Sequence, residues 1–297
     1  MSSIVLTTII ATFFWGANFV LAVPILHDIP PAWAACLRFG VGTLIMLGYV
    51  WWQKENLLPA IREHALAYFL VGAIGIGGFN LLFFSAMTST SPTNAALIMA
   101  TNPLLTALMA AAWPGERPAR IWLVSIPVAL IGVSIVLTGG HPASILQQQL
   151  SRGDFLMLLA NLAWAGYNIL TRQLIPARSN LINTTLLMGS GAIVLLAAAM
   201  HQGLPQQLPG LHALLALALM ASGGTVVAYL LWNHAIQHFG ASRTALFMNL
   251  IPVFAMLTAT FTGSWPNTAQ ISGGLLVLAG VTISMSAARQ AKPAIMD

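Results

Sequence analysis

Carboxylates are scarce in this chain of 297 residues: Asp28, Glu55, Glu63, Glu116, Asp154 and Asp297 make up the whole set, and each falls in a loop, at the edge of an apolar run or in a tail. No acid is therefore placed to carry an ion or proton through the middle of an apolar segment. Nor are the acids grouped to hold a metal and a diphosphate, as membrane-embedded lipid enzymes require. With no His/Cys/Asp cluster either, we expect no catalytic residue, no metal and no cofactor. Cys36 is the only cysteine, which excludes an internal disulfide and a thiolate metal site. Charged residues of both signs come to 6%, and the basic ones are scattered singly with no run or stripe. The pI near 10 thus needs no nucleic-acid partner, and attraction to anionic membrane lipid accounts for it.

What the chain does have is apolar length. At 58% hydrophobic residues it has too much apolar surface to hide in a water-soluble globule. The runs are continuous, unlike the alternating segments of a β-barrel, so an all-α integral membrane protein is expected. We read ten transmembrane helices at about 4–24, 32–52, 65–86, 92–113, 121–138, 153–173, 181–201, 212–236, 244–262 and 270–288. The first run lacks a basic start and a small-residue cleavage site, so it is expected to stay as a helix. Lys54, Arg62, Arg117, Arg120, Arg172, Arg178, Arg243, Arg289 and Lys292 lie on one side of these spans and only Arg152 on the other. This bias predicts cytoplasmic N- and C-termini.

The sequence also matches itself. Trp15 falls on Trp164, Gly75 on Gly224, Met99 on Met248 and Pro103 on Pro252, each 149 residues apart, and one gap later Gly132 falls on Gly280, 148 apart. Two five-helix halves, 1–149 and 150–297, follow from the spacing. Five crossings are an odd number, so the second half enters the bilayer from the opposite face. Inverted repeats around a central cavity are the architecture of alternating-access carriers.

Candidate site residues come from polar or kinking groups at mid-span. Pro103 and Pro252 are symmetry-related and would free the carbonyls of Met99 and Met248. They are either hinges at a transport site or simple packing bends. Seven of nine tryptophans, Trp33, Trp51, Trp52, Trp113, Trp122, Trp232 and Trp265, lie near expected span ends, where indole favours the headgroup level. Trp15 and Trp164 lie mid-span, accompanied by Asn18 and Asn168. Ser222, Thr225, Tyr229 and Asn233 form a polar stripe on the eighth span, Asn161, Trp164, Asn168 and Thr171 one on the sixth, and Asn80 stands between Phe79 and Phe83 on the third. Each set reads either as interhelical glue or as a wall of one cavity. Arg38 is the one basic residue inside a span: it snorkels or caps a helix, or it binds a substrate carboxylate. His234, a packing residue or a titrating one, is the only such candidate inside the bundle.

Several of these residues are also a family signature. Phe14-Trp15-Gly16-Ala17-Asn18-Phe19, Arg38-Phe39, Asn102-Pro103-Leu104 with Gly115-Glu116, and Gly153-Asp154 followed by Ala163-Trp164-Ala165-Gly166-Tyr167-Asn168 resemble the EamA-type drug/metabolite transporter superfamily along nearly the whole chain. Within it the chain looks most like bacterial inner-membrane aromatic amino acid exporters of the YddG type. The resemblance implies a ten-helix basket around a cavity and export of amino acids or related metabolites to the periplasm. The second half departs from the family, reading Gly263-Ser264-Trp265-Pro266 where a second Gly-Glu is common.

The expected protein is a transporter with a mostly neutral lining. Trp15, Phe79, Phe83, Trp164 and Tyr229 would hold a flat or apolar side chain, and Met99 and Met248 flank it. Asn18, Asn80, Asn168 and the freed carbonyls would bind polar ends. A neutral or zwitterionic small molecule fits; other uncharged or drug-like metabolites are the alternative, and a channel or lipid enzyme fits less well. Transport is expected to be uncoupled, or weakly proton-coupled through His234. No partner protein is implied, and a monomer satisfies the reading.

Overall fold

The computed structural model describes residues 2–90, 92–112, 122–141, 144, 151–205, 207–263 and 265–290. Among them there is no strand. Trp113, Gly115, Glu116, Arg117, Arg120, Ser264, Lys292 and Asp297 lie outside the described residues. The helices run α1 (Ser2–Asp28), α2 (Pro31–Trp52), α3 (Leu58–Ala86), α4 (Pro92–Ala100), α5 (Asn102–Ala111), α6 (Trp122–Thr138), α7 (Arg152–Leu174), α8 (Asn180–Gln202), α9 (Leu211–Phe239), α10 (Ala241–Ala259) and α11 (Thr268–Gln290). Six of these rods, α1, α2, α3, α8, α9 and α10, are long and apolar enough to cross a bilayer. Large apolar side chains point outward from them, among them Leu44 at 69% exposed and Ile193 at 63%, as expected where the solvent is lipid.

Local sequence explains the interruptions. α3 and α9 each widen into a π-helical turn, Ala73–Gly78 and Ser222–Val227, at Ile-Gly-Ile-Gly-Gly and Ser-Gly-Gly-Thr. The two turns start and end 149 residues apart (73 to 222 and 78 to 227), where the self-match also pairs Gly75 with Gly224. Pro103 breaks the fourth expected span at Thr101, so that α5 restarts with proline in its first turn, where its missing N–H costs nothing. Pro252 acts alike: the chain tightens to a 3₁₀ turn over Leu246–Leu250 before it. That turn corrects one expectation, since the Ile251 N–H is donated to the Met248 carbonyl, which is therefore not free for a ligand. α7 starts with a capping box between Ser151 and Asp154, and the Thr90 hydroxyl also donates to Asp154, tying α7 to the end of α3.

Packing follows the same internal match. α2 lies against α8 and α6 against α11; α1 contacts α9 and α10, and α7 contacts α3 and α5, the corresponding elements. The α6/α11 seam depends on glycine: a Cβ on Gly132 would lie 2.7 Å from the Gly273 carbonyl and 2.7 Å from the Val277 nitrogen, and one on Gly280 would lie 3.0 Å from the Ser125 carbonyl. Small residues let these backbones touch, and dispersion across the contact holds them together in lipid. Gly132→Ala should therefore lower stability by about 1–3 kcal/mol. Gly166→Ala, whose new Cβ would meet only Met109 Cε at 3.8 Å, should be neutral or slightly stabilising. Melting temperatures of the two variants in one detergent check the contrast.

Candidate substrate cavity

At the centre of the bundle lies a small cavity of about 40 Å³ lined by Trp15, Asn18, Phe19, Arg38, Phe79, Phe83, Met99, Trp164, Tyr229, Met248 and Ile251. It draws on α1, α2, α3, α4, α7, α9 and α10. Trp15 and Trp164 meet edge to face with centroids 5.1 Å apart, and each meets Tyr229 at 5.6 Å. Phe79 lies 5.0 Å from Trp164, and Phe19 packs on Phe83 at 5.4 Å. Such ring pairs are each worth about 0.5–1.5 kcal/mol beyond the area they bury. The free space admits a few waters at about 10–15 Å³ each, well short of a metabolite.

Arg38 is the only charged residue in this lining and is 3% exposed. It does not snorkel. Its Nε donates to Thr225 Oγ1 at 2.7 Å, Nη1 to Asn80 Oδ1 at 3.3 Å and Nη2 to the Gly224 carbonyl at 3.0 Å. With the Asn18 amide turned to satisfy both its neighbours, its oxygen accepts from Nη2 at 3.0 Å and its nitrogen donates to the Phe14 carbonyl. The guanidinium thus caps the π turn of α9, whose Gly224 carbonyl also accepts from Trp15 Nε1 at 2.9 Å. Among the described residues Arg38 forms no ion pair; every oxygen it meets is neutral.

The remaining expected site residues divide. Asn80 holds the Ile76 carbonyl of the α3 π turn and steadies Arg38, without lining the cavity. Asn168 accepts from Trp232 Nε1 at 2.9 Å and leans on Asn102, so it is interhelical glue. Asn161 fastens the Pro103 break, donating to the Ile98 carbonyl at 2.7 Å and to Thr101 Oγ1 at 2.9 Å. Ser222 faces outward and bonds its own helix, because the π turn shifts the register of the stripe that follows. His234 stands away from the cavity, with its ring 4.1 Å from that of His238. Trp164 lines the cavity with its Nε1 buried and without a hydrogen-bond partner.

Phe19 and Ile251 were missed; each is adjacent to a candidate residue, Phe19 after Asn18 and Ile251 before Pro252, but apolar residues carry no polar signal. Trp232 was placed at a span end, yet it is fully buried, its ring 4.8 Å from Trp15. The cause is that α9 continues to Phe239, past the expected end at 236.

The site is thus a cavity of aromatic rings and one buried cation among apolar helices, six of them long enough to cross a bilayer, and a family match makes it that of a transporter. The chain belongs to the EamA-like transporter family, whose model matches residues 2–138 and again 151–286. It is 35% identical over 272 residues to the transporter YyaM of Bacillus subtilis (strain 168), covering 91% of this chain and 89% of that one. A probable amino-acid metabolite efflux pump of Salmonella typhimurium (strain LT2) is 26% identical over 282 residues, 91% of each chain. A solved crystal structure superposes with a TM-score of 0.79 at 20% identity, covering 97% of this chain and 99% of that one, which establishes the fold.

Trp232→Phe removes the donor to Asn168 and leaves a buried oxygen unsatisfied, so stability should drop by about 1–2 kcal/mol. Trp51→Phe, at a side chain 82% exposed, should leave it unchanged. Thermal melts of the purified variants test this.

Proposed function

We propose that the protein exports amino acids, aromatic or other neutral ones, or metabolites of that size, across a bacterial inner membrane. The observation that carries this reading is Arg38: a buried guanidinium on an aromatic cavity, met only by neutral oxygens. A charge in that setting favours an anionic partner and rejects a cation. The carboxylate of an amino acid supplies the one, while the rings of Trp15, Phe79, Phe83, Trp164 and Tyr229 receive a flat side chain. Trp164 Nε1 adds an unused donor. The amino-acid metabolite efflux pump among the relatives points to the same substrate class.

The carrier crosses the membrane ten times as two inverted halves, 1–149 and 150–297, with both termini in the cytoplasm. Support comes from the paired π turns, the paired proline breaks, the matching helix contacts and the two stretches fitted by one family model, whose starts lie 149 residues apart and whose ends lie 148 apart. The cavity is too small for its substrate as it stands, so the halves must part for loading and rock to release. No acid lines the cavity, which favours movement down a gradient over proton coupling.

In proteoliposome counterflow against labelled amino acids, wild type should exchange an aromatic or neutral one, and tyramine, which lacks the carboxylate, should compete poorly with tyrosine. Arg38→Gln should lower exchange at least about thirtyfold, the loss expected when one partner of a buried charge contact is removed. Trp164→Ala should also weaken it. No exchange of any amino acid by wild type, or tyramine competing as well as tyrosine, overturns the assignment.

A further inference from the structure

A second pocket, of about 410 Å³, opens at one end of the bundle and is lined by Thr171, Arg172, Arg178, Asn183, Asn233 and Gln237 among others. This is the end of the basic loops: Ser179 donates to Glu55 beside Lys54, and Arg178 pairs with Glu63. The volume suits an amino-acid-sized solute, and the lining mixes polar side chains, Arg172 and Arg178 among them, with apolar ones such as Ile175 and Leu187. Tyr167 lines neither space but contacts a lining residue of each. Tyr167 is fully buried; its hydroxyl donates to Asn233 Oδ1 at 2.8 Å on the pocket side, and its ring stacks on Trp164 at 4.9 Å on the cavity side. The ring lies on the bare backbone of the α3 π turn, where a Cβ on Gly75 would come within 2.1 Å of it.

The internal repeat sharpens the point. Tyr167 is the counterpart of Asn18, 149 residues earlier, and Asn18 lies in the same way on Gly224, the counterpart of Gly75. Asn18 lines the central cavity and also an outer groove lined by Phe14, Leu219 and Thr258. Equivalent positions thus stand between the cavity and a peripheral opening in both halves, a large ring in one and a small amide in the other.

We propose that the pocket of Thr171, Asn183 and Asn233 is the antechamber in which a polar, carboxylate-bearing solute of amino-acid size waits, and that Tyr167 is the partition between it and the central cavity. The assignment rests on the cavity being a transport site, but its test needs no substrate. In a Cys36→Ala background, Ile251→Cys reports on the cavity, Gln237→Cys on the antechamber, and Lys54→Cys on the exposed basic loop marks the face. A membrane-impermeant maleimide is applied to each face of oriented vesicles.

Gln237→Cys should react readily from the Lys54 face in otherwise wild-type protein, and Ile251→Cys should react slowly. Tyr167→Ala should raise the Ile251→Cys rate from that face at least about tenfold, since a ring stack and a hydrogen bond are both lost, and leave the other face unchanged. Tyr167→Phe keeps the ring and should raise it about two- to fivefold, the loss of one hydrogen bond. An unreactive Gln237→Cys, an unchanged rate in Tyr167→Ala, or an equal rise from both faces overturns the proposal. If Tyr167→Ala does not insert, an unchanged rate in Tyr167→Phe overturns it.

Discussion

The structure turns on how a membrane protein satisfies backbone carbonyls that its own helix has let go. Lipid offers no hydrogen bonds, so a widened turn in α9 must find donors within the protein. Arg38 and Trp15 provide them at Gly224, while Thr225 and Asn80 hold the guanidinium in place. One charge thereby joins α2, α3 and α9 and leaves the Trp15 ring on the cavity wall. The same contacts explain why a cation survives at depth: four of its five N–H donors are engaged, and its net charge still lacks an ionic partner among the described residues. On the proposed function, structural support and substrate recognition are two aspects of one side chain.

The two halves share π turns and proline breaks and differ in side chains around the cavity. Repeat positions carry glycine at 75 and 224, tryptophan at 15 and 164, methionine at 99 and 248, and proline at 103 and 252. These set the turns, the breaks and part of the aromatic wall. Asn80 answers to Tyr229, Arg38 to Leu187 and Asn18 to Tyr167. These exchanges make the cavity asymmetric: Asn18, Arg38 and Tyr229 line it, and their counterparts Tyr167, Leu187 and Asn80 do not.

Much of the cavity was legible because mid-membrane tryptophan, asparagine and arginine are costly enough to need a reason. Trp15, Asn18, Arg38, Phe79, Phe83, Met99, Trp164, Tyr229 and Met248 all reach the lining. Asn80 and Asn168 did not, since polarity marks a residue as partnered without saying whether the partner is a ligand, a carbonyl or another amide. Trp232 was hidden by a span boundary misjudged by less than one turn, which at 1.5 Å per residue moves an indole from the headgroups into the core. The carbonyl of Met248 was misread because proline removes one donor but leaves the chain free to tighten and supply another.

By itself the sequence determined the solvent, the helical class and the duplication, because apolar length and a repeat of 149 residues are properties of the order of residues alone. Tertiary structure decided which polar side chains face one another. The π turns rotate everything after them, and hydrogen bonds such as Arg38 to Gly224 join residues 186 positions apart. No local pattern encodes a contact across that separation; it exists only once the helices have packed.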